Sequence, residues 1–239
     1  MMKIRVIGTG AIFSKYNSAS YLIDGNILLD APNGSFKALK KMDIDPIVIE
    51  DYLITHFHGD HYFDMPFYLL RKLNHNQNDI SNIYCDEEGN EKIKAVLSLA
   101  FTTAGPKIFA QTQVNFINST NFKVKDYTVE KVLVEHGNIK PAYGYIFSSN
   151  NLNVGFTGDA NYTSQIDYMA SKCNHLICDC TKLVGDSKHM GIDNIIQLAN
   201  NYPNCIFYLS HMADDTRDNL KLDGYNNIVE LHDGDDLVF

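Results

Sequence analysis

The stretch THFHGDHYFD, residues 55–64, sets four metal-type side chains, His56, His58, Asp60 and His61, side by side in one short segment. Three histidines and a carboxylate crowded together gain nothing structurally without a cation to hold. Metal ligation is therefore the favoured reading of this cluster. The apolar run Tyr52-Leu53-Ile54 just before reads as the end of a strand, and period-two alternation past it would turn the His56 and His58 imidazoles to one side. Asp60 and His61 fall where the pattern changes to an amphipathic helix, expected over 62–73, and would point a second pair away from the first. One strand-to-helix loop would then serve two ions.

A complete site needs further donors, and three isolated candidates each follow an apolar strand: His136 after VLVE, Asp159 after VGFTG and His211 after IFYLS. Each would sit at a strand's C-terminal edge, where α/β proteins build their sites. Taken alone, His211 reads as a packed histidine and Asp159 as a turn former. The cluster at 56–61 is what raises them to ligands. The seven residues His56, His58, Asp60, His61, His136, Asp159 and His211 make a donor set suited to Zn²⁺, with Mn²⁺ or Fe as substitutes.

Apolar alternation and turn residues place strands at 4–7, 20–23, 27–30, 52–55, 129–135, 143–147, 153–157, 175–179 and 205–210, with helices at 35–42, 163–171 and 193–201. This is a mixed α/β pattern in which two sheets carry helices on their outer faces. We expect 239 residues of this kind to form a single domain, with surface loops at 77–79 and 86–90. GTGA at 8–11 lacks the further glycine and the lysine of a nucleotide loop and reads as a turn near the site mouth. The segment YFDMPFYLLRKL could present a dimer face, although the buried side of a helix is the better reading of its apolar residues.

No apolar run approaches the roughly 20 residues needed to span a bilayer, and MMKIRVIGTG reads as a first strand and a glycine turn rather than an export signal. Five cysteines, an odd set without C-x-x-C spacing, suit neither a disulfide framework nor a zinc ribbon and point to a reducing cytoplasm. Cys178 and Cys180 are expected to be buried thiols flanking an outward Asp179. A net charge of −9 repels polyanions such as RNA. His75, expected in a loop after the helix, and His175 and His232 have surface or packing surroundings.

The hallmark His56-Phe57-His58-Gly59-Asp60-His61 resembles the H-x-H-x-D-H of the metallo-β-lactamase-fold hydrolases. The likeness continues in order through GTG, NSASYLIDGNILLDAPNG, EHG at 135–137, GYIF, FTGDA at 156–160, DCT at 179–181, KHMG at 188–191 and LSHM at 209–212. It is nearest to the ribonuclease Z-like phosphodiesterase branch. It implies a four-layer αββα sandwich of two mixed sheets flanked by helices. Two divalent ions are implied, one held by His56, His58 and His136, the other by Asp60, His61 and His211, with Asp159 bridging. The catalytic set is Asp60, His189 and Asp179. His189 would face the substrate, protonating the leaving oxygen or binding the phosphate. Asp179 would either orient His189 or cap the turn that follows it. A homodimer is implied by the resemblance alone.

Two ions ~3.5–4 Å apart can hold a bridging hydroxide and stabilise the oxygens of a phosphate ester, and no G-x-S-x-G elbow competes as nucleophile. Two departures shape the substrate reading. Where the superfamily often has D-x-G-x-G, this chain has Asp30-Ala31-Pro32-Asn33-Gly34, which leaves Asp30 a structural or ligand-supporting carboxylate. The long basic Gly/Pro-rich arm with which ribonuclease Z grips tRNA is missing between Asp64 and His136. We therefore expect a dinuclear phosphodiesterase acting on a small phosphodiester or cyclic nucleotide. A tRNA 3′-processing endonuclease, a lactone or thioester hydrolase and a non-catalytic metal-binding module stand behind it.

Overall fold

The computed structural model describes residues 1–75 and 79–239, and within it the chain forms two compact units. The first comprises Met1–Gly8, Asn17–Asn118 and Asp233–Phe239; the second comprises Thr9–Tyr16 and Ser119–His232.

The first unit is a seven-stranded sheet. Its strands are β1 (Lys3–Gly8), β2 (Ser20–Ile23), β3 (Ile27–Leu29), β4 (Asp51–Leu53), β5 (Ile80–Tyr84) and β6 (Gln113–Ile117), in sequential order, with the C-terminal strand Asp236–Val238 outside β1. Joins up to β3 are antiparallel and those from β3 to β6 parallel. Helices α1 (Ser35–Lys41), α2 (Gly59–Tyr62), α3 (Met65–His75), α4 (Gly89–Ala100) and α5 (Gly105–Gln111) complete it. Met65, Tyr68 and Leu69 of α3 are buried at the i, i+3, i+4 spacing of one helix face. Tyr68 meets Tyr52 edge-on at 5.5 Å and Phe36 at 5.3 Å.

The expected helix over 62–73 is two helices. Asp64 interrupts it, because its carboxylate accepts from Phe36 N at 2.9 Å at the start of α1, and Pro66 can sit only in the first turn of a new helix. The expected loop at 86–90 is a helix start: the buried Asp86 accepts from Glu88 N at 2.8 Å and α4 begins at Gly89. His75 ends α3 instead of following it. Apart from Asp79, the loop expected at 77–79 lies outside the described residues.

The second unit repeats the plan with β7 (Asn121–Val124), β8 (Tyr127–His136), β9 (Ile139–Ser149), β10 (Leu152–Phe156), β11 (His175–Asp179), β12 (Ile206–Ser210) and β13 (Ile228–Glu230), again in sequential order. Joins from β7 to β10 are antiparallel and those from β10 to β13 parallel. Helix α6 (Ser164–Lys172) buries Ile166, Met169 and Ala170, and α7 (Ile192–Asn201) buries Ile195, Leu198 and Ala199; a short α8 (Asp214–Asp218) follows β12. Phe207 and Leu209 of β12 join these side chains in one apolar cluster. Among the described residues no helix is long and apolar enough to cross a membrane.

Candidate metal centre

In the first unit the donors gather where two parallel strands end. Asp30, just past β3, takes a left-handed backbone, φ 57°, and turns its carboxylate across the end of β4. Thr55 donates from N to Oδ1 and from Oγ1 to Oδ2, both at 2.8 Å, and His61 Nδ1 lies 2.8 Å from Oδ2. Burial pushes the Asp30 carboxyl up, and His61 and Thr55 oppose that shift. Ala31 N donates to His61 O at 2.7 Å and Asp64 N to Ala31 O at 3.0 Å, so the proline-containing turn is stitched to the ligand loop.

His56 Nε2 and His58 Nδ1 stand 2.9 Å apart. Two nitrogens bound at ~2.0–2.1 Å to one tetrahedral zinc ion stand about 3.3 Å apart, so a small widening of this pair would let it share an ion. His61 Nε2 lies 3.7 Å from Asp60 Oδ2. The second pair falls in a separate ligand group from the first, although the His61 ring packs 4.1 Å from that of His56. Thr55 Oγ1, which reaches both rings at Nδ1 (3.1 and 3.4 Å), draws them together.

In the second unit four strand ends supply the rest: His136 closes β8, Asp159 follows β10, Asp179 ends β11 and His211 follows β12. Asp159 faces two histidines with different oxygens, His211 Nε2 at 3.3 Å from Oδ1 and His136 Nε2 at 3.8 Å from Oδ2. Each oxygen of this carboxylate thus faces a different imidazole. Each imidazole is held from its outer nitrogen, His136 Nδ1 at 2.8 Å from Lys188 O and His211 Nδ1 at 2.8 Å from Thr181 Oγ1. Such outer bonds fix ring orientation and tautomer in metal-binding histidines. His211 also has a left-handed backbone, φ 51°, a strain that persists where the surrounding structure enforces it.

His189 sits on a loop clamped by Asp186, whose carboxylate accepts from Lys188 N and His189 N at 2.8 and 3.0 Å. Its Nδ1 lies 2.8 Å from Asp179 Oδ2, and its ring stacks on His211 at 5.5 Å. Ligand atoms of Asp159, His189 and His211 all lie within 4.8 Å of one another. Burial would depress the His189 imidazole, but the bond and charge of Asp179, with Asp159 and Asp186, carry it above its ordinary value. Asp179 does two jobs: Oδ2 meets His189, while Oδ1 accepts from Thr181 N and Oγ1 at 2.9 and 2.7 Å. Its side chain is fully buried, so it does not point outward as expected. Cys178 and Cys180 beside it are buried free thiols, as are the other three cysteines.

Thr55 and Thr181 were not singled out from the sequence, although each adjoins a site residue in T-H-F-H and D-C-T. Threonine hydroxyls beside buried imidazoles and carboxylates are the signal that could have found them. The donor set as a whole, histidines anchored at their outer nitrogen and acids between them, fits divalent metal.

A family model described as Anti-Pycsar protein Apyc1 matches residues 2–233. A curated relative, ribonuclease Z of Thermococcus kodakarensis, is 28% identical over 157 residues, covering 63% of this chain and 48% of that protein. The chain thus spans about half the length of the curated relatives it matches. Among solved structures, the metallo-β-lactamase fold protein YhfI from Bacillus subtilis superposes with a TM-score of 0.80 at 17% identity, covering 99% of this chain and 98% of that one. A diphosphatase from the PhnP family gives 0.75 at 20%, covering 100% and 98%. The chain has the metallo-β-lactamase fold.

Proposed function

The chain belongs to the Anti-Pycsar protein Apyc1 family, and from that premise we propose that it is a dinuclear metal-dependent phosphodiesterase acting on a small phosphodiester or cyclic nucleotide. His56, His58 and His136 would hold one divalent ion, most simply Zn²⁺, and Asp60, His61 and His211 the other, with Asp159 between them. When bound, such a pair supplies positive charge to phosphate oxygens and lowers the pKa of water.

The chain's own groups then have separable tasks. Asp30, Thr55 and Thr181 fix the ring orientations of the ligand histidines. With Nδ1 engaged by Asp179, His189 presents Nε2 to a substrate, where its raised pKa keeps a proton to deliver to the leaving oxygen as the phosphorus–oxygen ester bond breaks and water adds to phosphorus. Asp179 stabilises the imidazolium before transfer. No thiol competes as nucleophile, since all five are buried, and burial pushes Cys205 up to about 12.

The observation that carries this reading is the split of Asp159, one oxygen toward His136 and the other toward His211. The test is turnover of bis(p-nitrophenyl) phosphate by protein carrying two metal equivalents, with Asp159→Ala in parallel. Turnover in the parent that disappears in the variant is expected. A two-metal protein that leaves the diester intact would move lactones and thioesters ahead. The curated relatives' name supports ribonuclease as the second reading, and cleavage of a precursor tRNA with the small diester untouched would install it.

A further inference from the structure

The turn that follows β1 carries the wrong residues for a turn. Ser14 N donates to Ala11 O at 2.9 Å, closing four residues whose corners are Ile12 and Phe13. Such corners ordinarily hold Gly, Asn, Asp or Pro. Here two large apolar side chains stand 55% and 93% exposed.

A single exposed apolar residue is unremarkable, but this one is held in place. Ala11 N donates to Met212 O at 3.0 Å and Met212 N to Thr9 O at 2.9 Å. Ser14 Oγ donates to Asp214 Oδ1 at 2.6 Å, and Lys15 N also donates to that carboxylate. The Arg217 guanidinium lies 4.4 Å over the Tyr16 ring and donates to Thr9 Oγ1 at 3.0 Å. Every one of these anchors lies in the segment that starts one residue after His211. A turn anchored to the residues that follow His211 in sequence therefore displays an aromatic ring to solvent.

We propose that Phe13 is a specificity-determining residue whose ring stacks on a flat aromatic group of the substrate, a nucleobase or an aryl ester, while the phosphate lies at the His211 cluster. The inference rests on the hydrolase reading above and names the part of the substrate that reading leaves open. An aromatic face accepts any base without hydrogen-bond readout. Phe13 would thus select for an aromatic substituent without choosing among bases, and Ile12 would flank its edge.

The chain contains no tryptophan, so Phe13→Trp places one emitter at the proposed platform. Metal-loaded Phe13→Trp protein would be titrated with adenosine 5′-monophosphate and with ribose 5-phosphate, and binding measured in parallel by calorimetry. Saturable quenching by the nucleotide at its calorimetric affinity, with none from the sugar phosphate, is the expected result. Phe13→Ala should weaken nucleotide binding roughly tenfold and raise KM for bis(p-nitrophenyl) phosphate by a similar factor, the loss falling on KM, while Phe13→Tyr restores both. Calorimetric binding without quenching, equal affinity for the two ligands, or no nucleotide binding at all would each overturn the proposal. Nucleotide binding and quenching in Phe13→Trp, with no diester turnover by metal-loaded wild type, would instead sink the hydrolase reading and leave the platform standing.

Discussion

A histidine becomes a dependable ligand when its other nitrogen is already committed. His61 is committed to Asp30, His136 to the Lys188 carbonyl and His211 to Thr181. The Thr181 hydroxyl is the busiest of these supports, reaching His211, His189 and Asp179 from one atom. Thr181→Val keeps the volume and deletes the hydroxyl. It should weaken metal binding by about 10–100-fold in competition with a chromophoric chelator, and an unchanged affinity would show that the hydroxyl merely caps its strand. His189 makes a different demand, because its role is to carry a proton. A raised pKa keeps the imidazolium populated to higher pH, so activity that needs it should fall on the alkaline side as pH rises through that value. Asp179→Asn removes the main raising influence and leaves burial, which lowers it, opposed only by the charges of Asp159 and Asp186. The alkaline limb of kcat should therefore move toward lower pH, whereas His189→Ala should cost roughly 10²–10⁴ in rate and abolish the limb. An Asp179→Asn profile superimposable on wild type would confine Asp179 to its turn-capping task.

The elements place these groups by ending where they do. In the first sheet β3 and β4, and in the second β10, β11 and β12, finish at site residues, and helices pack behind these strands. Gly144 in β9 shows how tight that packing is: a Cβ there would lie 2.8 Å from Phe156 O and 2.8 Å from the Met169 methyl. The methionine can move, but the carbonyl belongs to β10, which carries Asp159 just beyond its end. Gly144→Ala should lower stability by about 1–3 kcal/mol in urea titration, and a loss below a few tenths would mean that β9 and β10 shift freely. Much at this scale was legible beforehand. The strands at 20–23 and 175–179 appear with those bounds, and every site residue expected at a strand's C-terminal end is at one. The helix break at Asp64 could not be read because a tertiary partner sets it, that carboxylate capping α1, whereas the start of α4 is a local turn in which Asp86 accepts from Glu88 N. A one-dimensional pattern also gave no way to see that the His56 and His61 rings pack together, because Thr55 and Asp30, distant in sequence from each other, decide it.

At the scale of the molecule the chain's route matters more than its composition. The first unit is assembled from three separate segments, and β1 pairs at one edge with the last strand, Lys3 opposite Val238 and Arg5 opposite Asp236. Arg5 reinforces that pairing with two bonds to the Asp236 carboxylate at 2.6 and 2.7 Å. The second unit likewise borrows Thr9–Tyr16 from the start of the chain, and Arg217 holds that borrowed piece through Thr9 and Tyr16. The strands of the second sheet all lie within 119–232, but no continuous stretch completes the first, because β1 needs the strand Asp236–Val238, which follows the whole second unit in sequence, and the second unit takes 9–16 from between two segments of the first. We propose on this ground that the chain behaves as one domain. Urea unfolding followed by circular dichroism and by the fluorescence of its 14 tyrosines should give coincident single transitions. Metal at a thousandfold its dissociation constant should add about 4 kcal/mol for each ion bound, and chelator should remove that increment without splitting the curve. Two resolved transitions, one sensitive to metal and one not, would mean that a single unit holds the ions by itself and that the chain is two domains after all.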